Sequence, residues 1–252
     1  MREYKIYTYL CLLFINKRGF MSEHIRLDKL LANELEISRS QANKLIASEQ
    51  INVNNQIVKK NVNIDLLNDF VDYNGQKIEY VQYKYYLVNK PKNCVCANKD
   101  NINKTIFEAV ELNEQIYRCA GRLDKDTTGM ILITNDGKLI NYLTSPKKKI
   151  VKKYLVQVDK DFDDKIKNFN QPIPIENFVV NDYKFEFISK NECYLSIYEG
   201  KFHQVKQMLK YFDFDVKSLK RVSIGNFEIP KNLAEGQKIK IEKKLINFFF
   251  NF

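Results

Sequence analysis

Glycine is rare in this chain, and its positions limit where the backbone can turn sharply. Only eight of 252 residues are Gly, against an average of about 7%. Five of the eight fall in two windows, 121–137 and 200–225. The first window opens Ala120-Gly121-Arg122-Leu123-Asp124-Lys125-Asp126-Thr127-Thr128-Gly129 and runs straight into Met130-Ile131-Leu132-Ile133. A Gly-bracketed polar loop feeding an unbroken apolar run reads as a loop held on a buried strand. Two carboxylates and an Arg in such a loop are candidates for chemistry. The bland alternative is an Asx turn, in which Asp side chains accept from nearby backbone N–H groups.

The apolar pattern divides the chain. Leu27, Leu30, Leu31 and Leu35 follow helical spacing, and Ser38 fits an N-cap for a second helix from about Arg39 to Ser48. Ala42, Leu45 and Ile46 face inward on that helix. Ile51, Val53, Ile57 and Val58 flank Asn54-Asn55, a hairpin signal. Beyond this point strand-like runs dominate, at 85–88, 130–134, 154–158, 183–188 and 193–198. Helical spacing recurs at 105–111, 138–143 and 204–211. Runs of strands with a few interleaved helices argue an α+β fold. The expected layout is a small N-terminal αα-hairpin module over residues 25–66, a polar connector over 67–82, and a larger, mainly antiparallel-sheet domain over 83–247. Residues 248–252 read as a tail. Residues 1–24 read as an N-terminal extension, and Met21 stands just before the first patterned segment. The nine mostly apolar residues 7–15 are far short of the ~20 needed to span a bilayer, and no small-residue cleavage site follows them.

Lys and Arg total 41 against 31 Asp and Glu, a net charge of +10. That balance suits a polyanionic partner such as nucleic acid. Five cysteines with no C-x-x-C pair, and two distant histidines, exclude a disulfide scaffold and argue against a zinc finger. Reduced thiols in the cytoplasm are the expectation, without a membrane association.

Order and spacing sharpen this reading. Residues 25–64, with R-L-D-K-x-L, S-R-S-x-A and V-N-x-x-x-V-K in sequence, resemble the alpha-L RNA-binding module first named from a ribosomal protein. The resemblance implies that Arg26, Arg39, Ser40 and Lys44 contact RNA. Such recognition works largely through shape and backbone.

The loop itself, Gly121-Arg122-Leu123-Asp124-Lys125-Asp126-Thr127-Thr128-Gly129, resembles the signature of the pseudouridine synthases. Four more segments agree in order. They are Tyr85-Tyr86-Leu87-Val88-Asn89-Lys90-Pro91, Lys153-Tyr154-Leu155-Val156, the E-G-x-x-x-Q-V-K-x-M run from Glu199, and the L-x-R-x-x-I-G run from Leu219. The His203-Gln204-Val205-Lys206 segment resembles the branch acting on 16S, small-subunit ribosomal RNA, more than the large-subunit branch.

The resemblance implies an isomerase that cuts uracil from its ribose at N1, turns it and rejoins it through C5, with no cofactor and no metal. A base in folded RNA must first be flipped from its stack, at a cost of a few kcal/mol. Asp124 would be the catalytic carboxylate, attacking C1′ or removing a ribose proton. Lys206 would be the cation that keeps it ionised. Tyr154 would stack on the uracil, and Leu219 would pack on its other side. Arg122 would hold the flipped backbone, with Gln204 and Arg221 as further substrate contacts. Asp126 and Thr127 would shape the loop. The family usually places a second basic residue after Lys206; here it is Gln207. The expected partner is ribosomal RNA in an assembly intermediate, met by a monomer.

The same residues admit other readings. D-x-D-x-T fits the opening of magnesium-dependent phosphatases, although that motif normally follows the first strand of a doubly wound domain. A calcium loop from Asp124 would need Glu at its twelfth position and finds Asn135. A sister enzyme with a 23S target, or a ribosome-associated binding protein with a silent catalytic domain, would share most of the motifs.

Overall fold

The computed structural model describes residues 24–252. The extension expected over residues 1–24 lies, apart from His24, outside the described residues. The described residues form two compact units, one ending at Tyr80 and the other spanning Val81–Phe252.

The first unit holds β1 (His24–Arg26), α1 (Leu27–Glu34), α2 (Arg39–Ala47), β2 (Ile51–Val53), β3 (Gln56–Ile57), β4 (Asn63–Asp65), β5 (Val71–Tyr73) and β6 (Gln76–Ile78). Leu27, Leu30 and Leu31 of α1 pack with Ala42 and Ile46 of α2 in one core. Ser38 caps α2 in a full capping box: its hydroxyl accepts from Gln41 N–H, and the Gln41 side chain accepts from Ser38 N–H. The stretch expected as a connector, 67–82, is more than that. Its β5–β6 hairpin extends a four-stranded sheet of order β3-β2-β5-β6, and Val71 is buried in the core. The turn is Asn74-Gly75 with positive φ at both residues, the geometry that two-residue hairpins favour.

The second unit holds β7 (Tyr85–Lys90), α3 (Ile106–Val110), β8 (Arg118–Cys119), β9 (Thr128–Thr134), α4 (Gly137–Thr144), β10 (Lys152–Val158), α5 (Asp164–Lys167), β11 (Ile173–Ile175), β12 (Phe178–Val180), β13 (Tyr183–Phe187), β14 (Glu192–Ile197), α6 (Gln204–Lys210), β15 (Val216–Ile224), β16 (Phe227–Glu228), β17 (Lys238–Ile241) and α7 (Lys243–Phe250). The main sheet runs β13-β14-β10-β15-β9-β7-β17, with β8 and β16 pairing β9 and β15. Its pairings are antiparallel except β15–β9, which is parallel. The α+β expectation therefore stands.

Strand β9 is buried along its whole length. Ile131 and Ile133 join one core with residues of α3 and α6, while Met130 and Leu132 join another with residues of α4 and α7. Side chains alternate between faces with period two. Two apolar faces thus explain why this strand reads as a continuous apolar run. The expected tail is also structured. Residues 248–250 are the last turn of α7, Phe250 is buried, and Phe249 stacks on Phe227 at 4.3 Å. No helix among the described residues is long and apolar enough to cross a membrane.

Candidate active site

The loop between β8 and β9 is pinned from beneath. Lys90 closes β7 and is fully buried. Its ammonium donates to the carbonyls of Pro91 at 3.0 Å, Lys125 at 3.3 Å and Thr127 at 2.8 Å. A buried ammonium is tolerated only with such partners. Asn93 N–H donates to the Lys125 carbonyl at 2.9 Å, and Leu123 N–H donates to the Cys96 sulfur at 3.4 Å. At the loop's end Gly129 has φ +103° and pairs with Arg221 across β15. A Cβ there would stand 2.2 Å from the Arg221 carbonyl oxygen. Only glycine permits this approach.

Asp124 projects from the pinned loop between an imidazole and an ammonium group. His203 Nε2 lies 3.7 Å from one carboxylate oxygen, and Lys206 Nζ lies 3.7 Å from the other. The closer partner of Lys206 is Asp126, at 2.6 and 2.8 Å. Lys206 thus stands beside Asp124, as expected, and pairs more closely with Asp126. The Asp126 carboxyl is held below its ordinary range: partial burial opposes ionisation, but the hydrogen bond and charge of Lys206 prevail. Asp126 therefore does more than shape its loop.

Tyr154 and Leu219, both buried, come from the adjacent strands β10 and β15. Tyr154 pairs with Leu195 on one side and Arg221 on the other, next to a register shift that skips Val222 of β15. Tyr154 and Leu219 line one pocket with Arg122, Asp124, His203 and Gln204. The Tyr154 hydroxyl makes no hydrogen bond within the described residues. A larger cleft of about 370 Å³ shares Arg122, Asp124 and Tyr154 and reaches Lys152, Phe202 and Arg221. Small-molecule sites run from roughly 300 Å³ upward.

Two residues expected at the substrate are occupied with bracing. Gln204 is buried, accepts from Lys201 N–H at 2.9 Å and donates to Glu199 at 3.4 Å. Arg221 is buried and its Nε donates to the Met130 carbonyl at 2.7 Å. It ties β15 to the strand that follows the loop.

The sequence reading missed three contributors. Lys90 was visible as a lone cation ending an apolar strand. Phe202 was visible as an aromatic residue in a polar turn. Lys152 lies in the cleft wall, its amine pushed down to about 8 by burial and the nearby Arg221 charge, with Glu199 opposing.

In the first unit, Arg39, Ser40 and Lys44 are exposed on α2. Arg26 is exposed too, but its guanidinium makes a two-point contact with the buried Asp28, both bonds 3.1 Å. Burial resists ionisation of Asp28. Hydrogen bonds from Asn61 and Arg26 and the charge of Arg39 outweigh it and lower the pKa.

Comparison with known proteins agrees with both units. Residues 84–211 match the family described as RNA pseudouridylate synthase, and residues 25–71 match the S4 domain. The ribosomal small subunit pseudouridine synthase A of Vibrio vulnificus (strain CMCP6) is 34% identical over 227 residues, covering 84% of this chain and 94% of that protein. The Escherichia coli (strain K12) protein of the same name is 33% identical over 221 residues, with the same coverage of each. A solved structure described as a pseudouridylate synthase superposes with a TM-score of 0.62 at 31% identity, covering 88% of this chain and 98% of the other. The fold and site thus define an RNA-acting isomerase that carries an S4 module. The chain belongs to the RNA pseudouridylate synthase family.

Proposed function

We propose that this enzyme converts a specific uridine of 16S, small-subunit ribosomal RNA to pseudouridine, with Asp124 as the nucleophile at C1′. One observation carries the reading. A carboxylate on a pinned loop stands between His203 and Lys206, in a pocket whose other walls are a buried aromatic and a buried leucine. The relatives named for the small subunit support the choice of RNA.

The C1′–N1 bond breaks as Asp124 attacks. The freed uracil turns and C5 bonds to C1′, releasing the carboxylate. The C5 proton leaves to solvent and N1 gains one. Lys206 and His203 stand one on each side of the Asp124 carboxylate, where they orient it for attack. Tyr154 and Leu219 hold the ring while it turns, and the Tyr154 hydroxyl faces the ribose. Arg122 holds the nucleotide, and Gln204 and Arg221 act by bracing the pocket walls. Arg26, Arg39, Ser40 and Lys44 contact RNA phosphates, with Arg26 engaging after release from Asp28. The enzyme works as a cytoplasmic monomer on an assembling particle.

The test is tritium release from C5-labelled small-subunit ribosomal RNA, free or partly assembled. Release by wild type, none by Asp124→Asn, and RNA binding retained by the mutant is the expected result, because only a transition-state interaction is lost. Activity of Asp124→Asn above a few per cent would remove the nucleophile assignment. Release only from large-subunit RNA would move the target.

A further inference from the structure

Phe202 breaks the rule that keeps large apolar side chains inside. It is 70% exposed and follows directly on Gly200-Lys201 at the start of α6. Its ring is not loose. It stacks on the His203 imidazole with centroids 3.8 Å apart and planes 22° from parallel. His203 is the residue whose Nε2 faces Asp124, and its φ of +49° lies in the left-handed region that few non-glycine residues adopt. The turn carrying the pair is braced on both sides. Gln204 accepts from Lys201 N–H, and Gln207 Nε2 donates to the Phe202 carbonyl at 2.8 Å. Gln207 also accepts from Glu176 N–H at 2.9 Å. The residue that replaces the family's second basic position therefore fixes the turn.

A flat apolar ring, fixed in place, exposed, and lining the cleft with Asp124, Tyr154, Arg122 and Lys201, matches what single-stranded nucleic acid requires. Cations track the backbone, and an aromatic face takes a base. Tyr154 and Leu219 already enclose the reacting ring. The base beside it, unstacked when the uridine leaves, needs a new neighbour.

Resting on the RNA-isomerase reading, we propose that Phe202, backed by His203, is the stacking site for the nucleobase adjacent to the flipped-out uridine. The contact takes any base, since every base has a π face. It belongs to binding and is made alike in the ground and transition states. It therefore acts chiefly on KM.

The chain contains no Trp, so Phe202→Trp places a single indole at the site. Its fluorescence is read against a short oligouridylate and against an abasic ribose-phosphate strand of equal length, with RNA retention on filters followed separately. Quenching by the oligouridylate and none by the abasic strand is expected. Phe202→Ala raises KM for ribosomal RNA about five- to hundred-fold, the range that loss of one base–aromatic stack allows. Phe202→Tyr, which keeps the ring on His203, restores KM. RNA retained without quenching, equal quenching by the abasic strand, or an unchanged KM in Phe202→Ala would overturn the proposal. Base-dependent quenching without tritium release by wild type would leave the stacking site standing and reject the isomerase reading instead. Failure of wild type to retain any RNA would reject both.

Discussion

Lys206 shows how far a residue's role follows from its place in a motif. Its position marked it as the cation beside Asp124, and it does lie 3.7 Å away. That a second carboxylate two residues on would hold it more closely depends on how the loop bends, which no spacing encodes. Asp126 gains stability from this pair. Its pKa is lowered by Lys206, so the contribution is present above the ordinary carboxylate range and fades as pH falls through the folded value. Asp126→Asn is expected to cost less than about 1 kcal/mol at neutral pH, because the pair is largely exposed. Urea midpoints of mutant and wild type should converge as pH falls below the ordinary carboxylate range and through the lowered folded value. A constant gap would show that the contact is not ionic. Turnover should largely survive, in contrast to Asp124→Asn, since Lys206 remains free to approach Asp124.

Elements were legible where one local rule acted alone. Helices α2, α3, α4 and α6 and most strands of the large sheet followed their periodicity or caps. The β5–β6 hairpin was overlooked although Asn74-Gly75 is a strong turn signal, because its strands are three residues each and only Val71 is deeply buried. The helix ending at Phe250 was masked by a run of phenylalanines that looked like low complexity. The parallel pairing of β9 with β15 was not legible at all. It joins residues about ninety apart, and no short window contains it. That pairing makes a sharp demand at Gly129. Gly129→Ala is expected to destabilise the second unit by at least about 3 kcal/mol, from strained φ and overlap with the Arg221 carbonyl. Denaturant unfolding measures this, and a soluble variant of near-native midpoint would show that the two strands can part without cost.

At the scale of the molecule, the positive charge has one proposed use in each unit: RNA attraction on α2 and the Lys206 contact beside Asp124. Charge reversal at Arg39 and Lys44 should weaken RNA binding and flatten its salt dependence by about one to two units of log–log slope, while kcat at saturating RNA holds. An unchanged slope would remove α2 from the RNA contact. Family, fold and reaction type were readable because five ordered motifs span the second unit. The supports under those motifs were not, since they act through backbone carbonyls that leave no side-chain signature. The Lys90 ammonium is the chief of these supports. Because it orders the loop carbonyls before any RNA arrives, the loop's conformational entropy is lost during folding, and none of the free energy of RNA binding is drawn on to arrange it. The site is preorganised, and what remains to move in the reaction is the uracil itself.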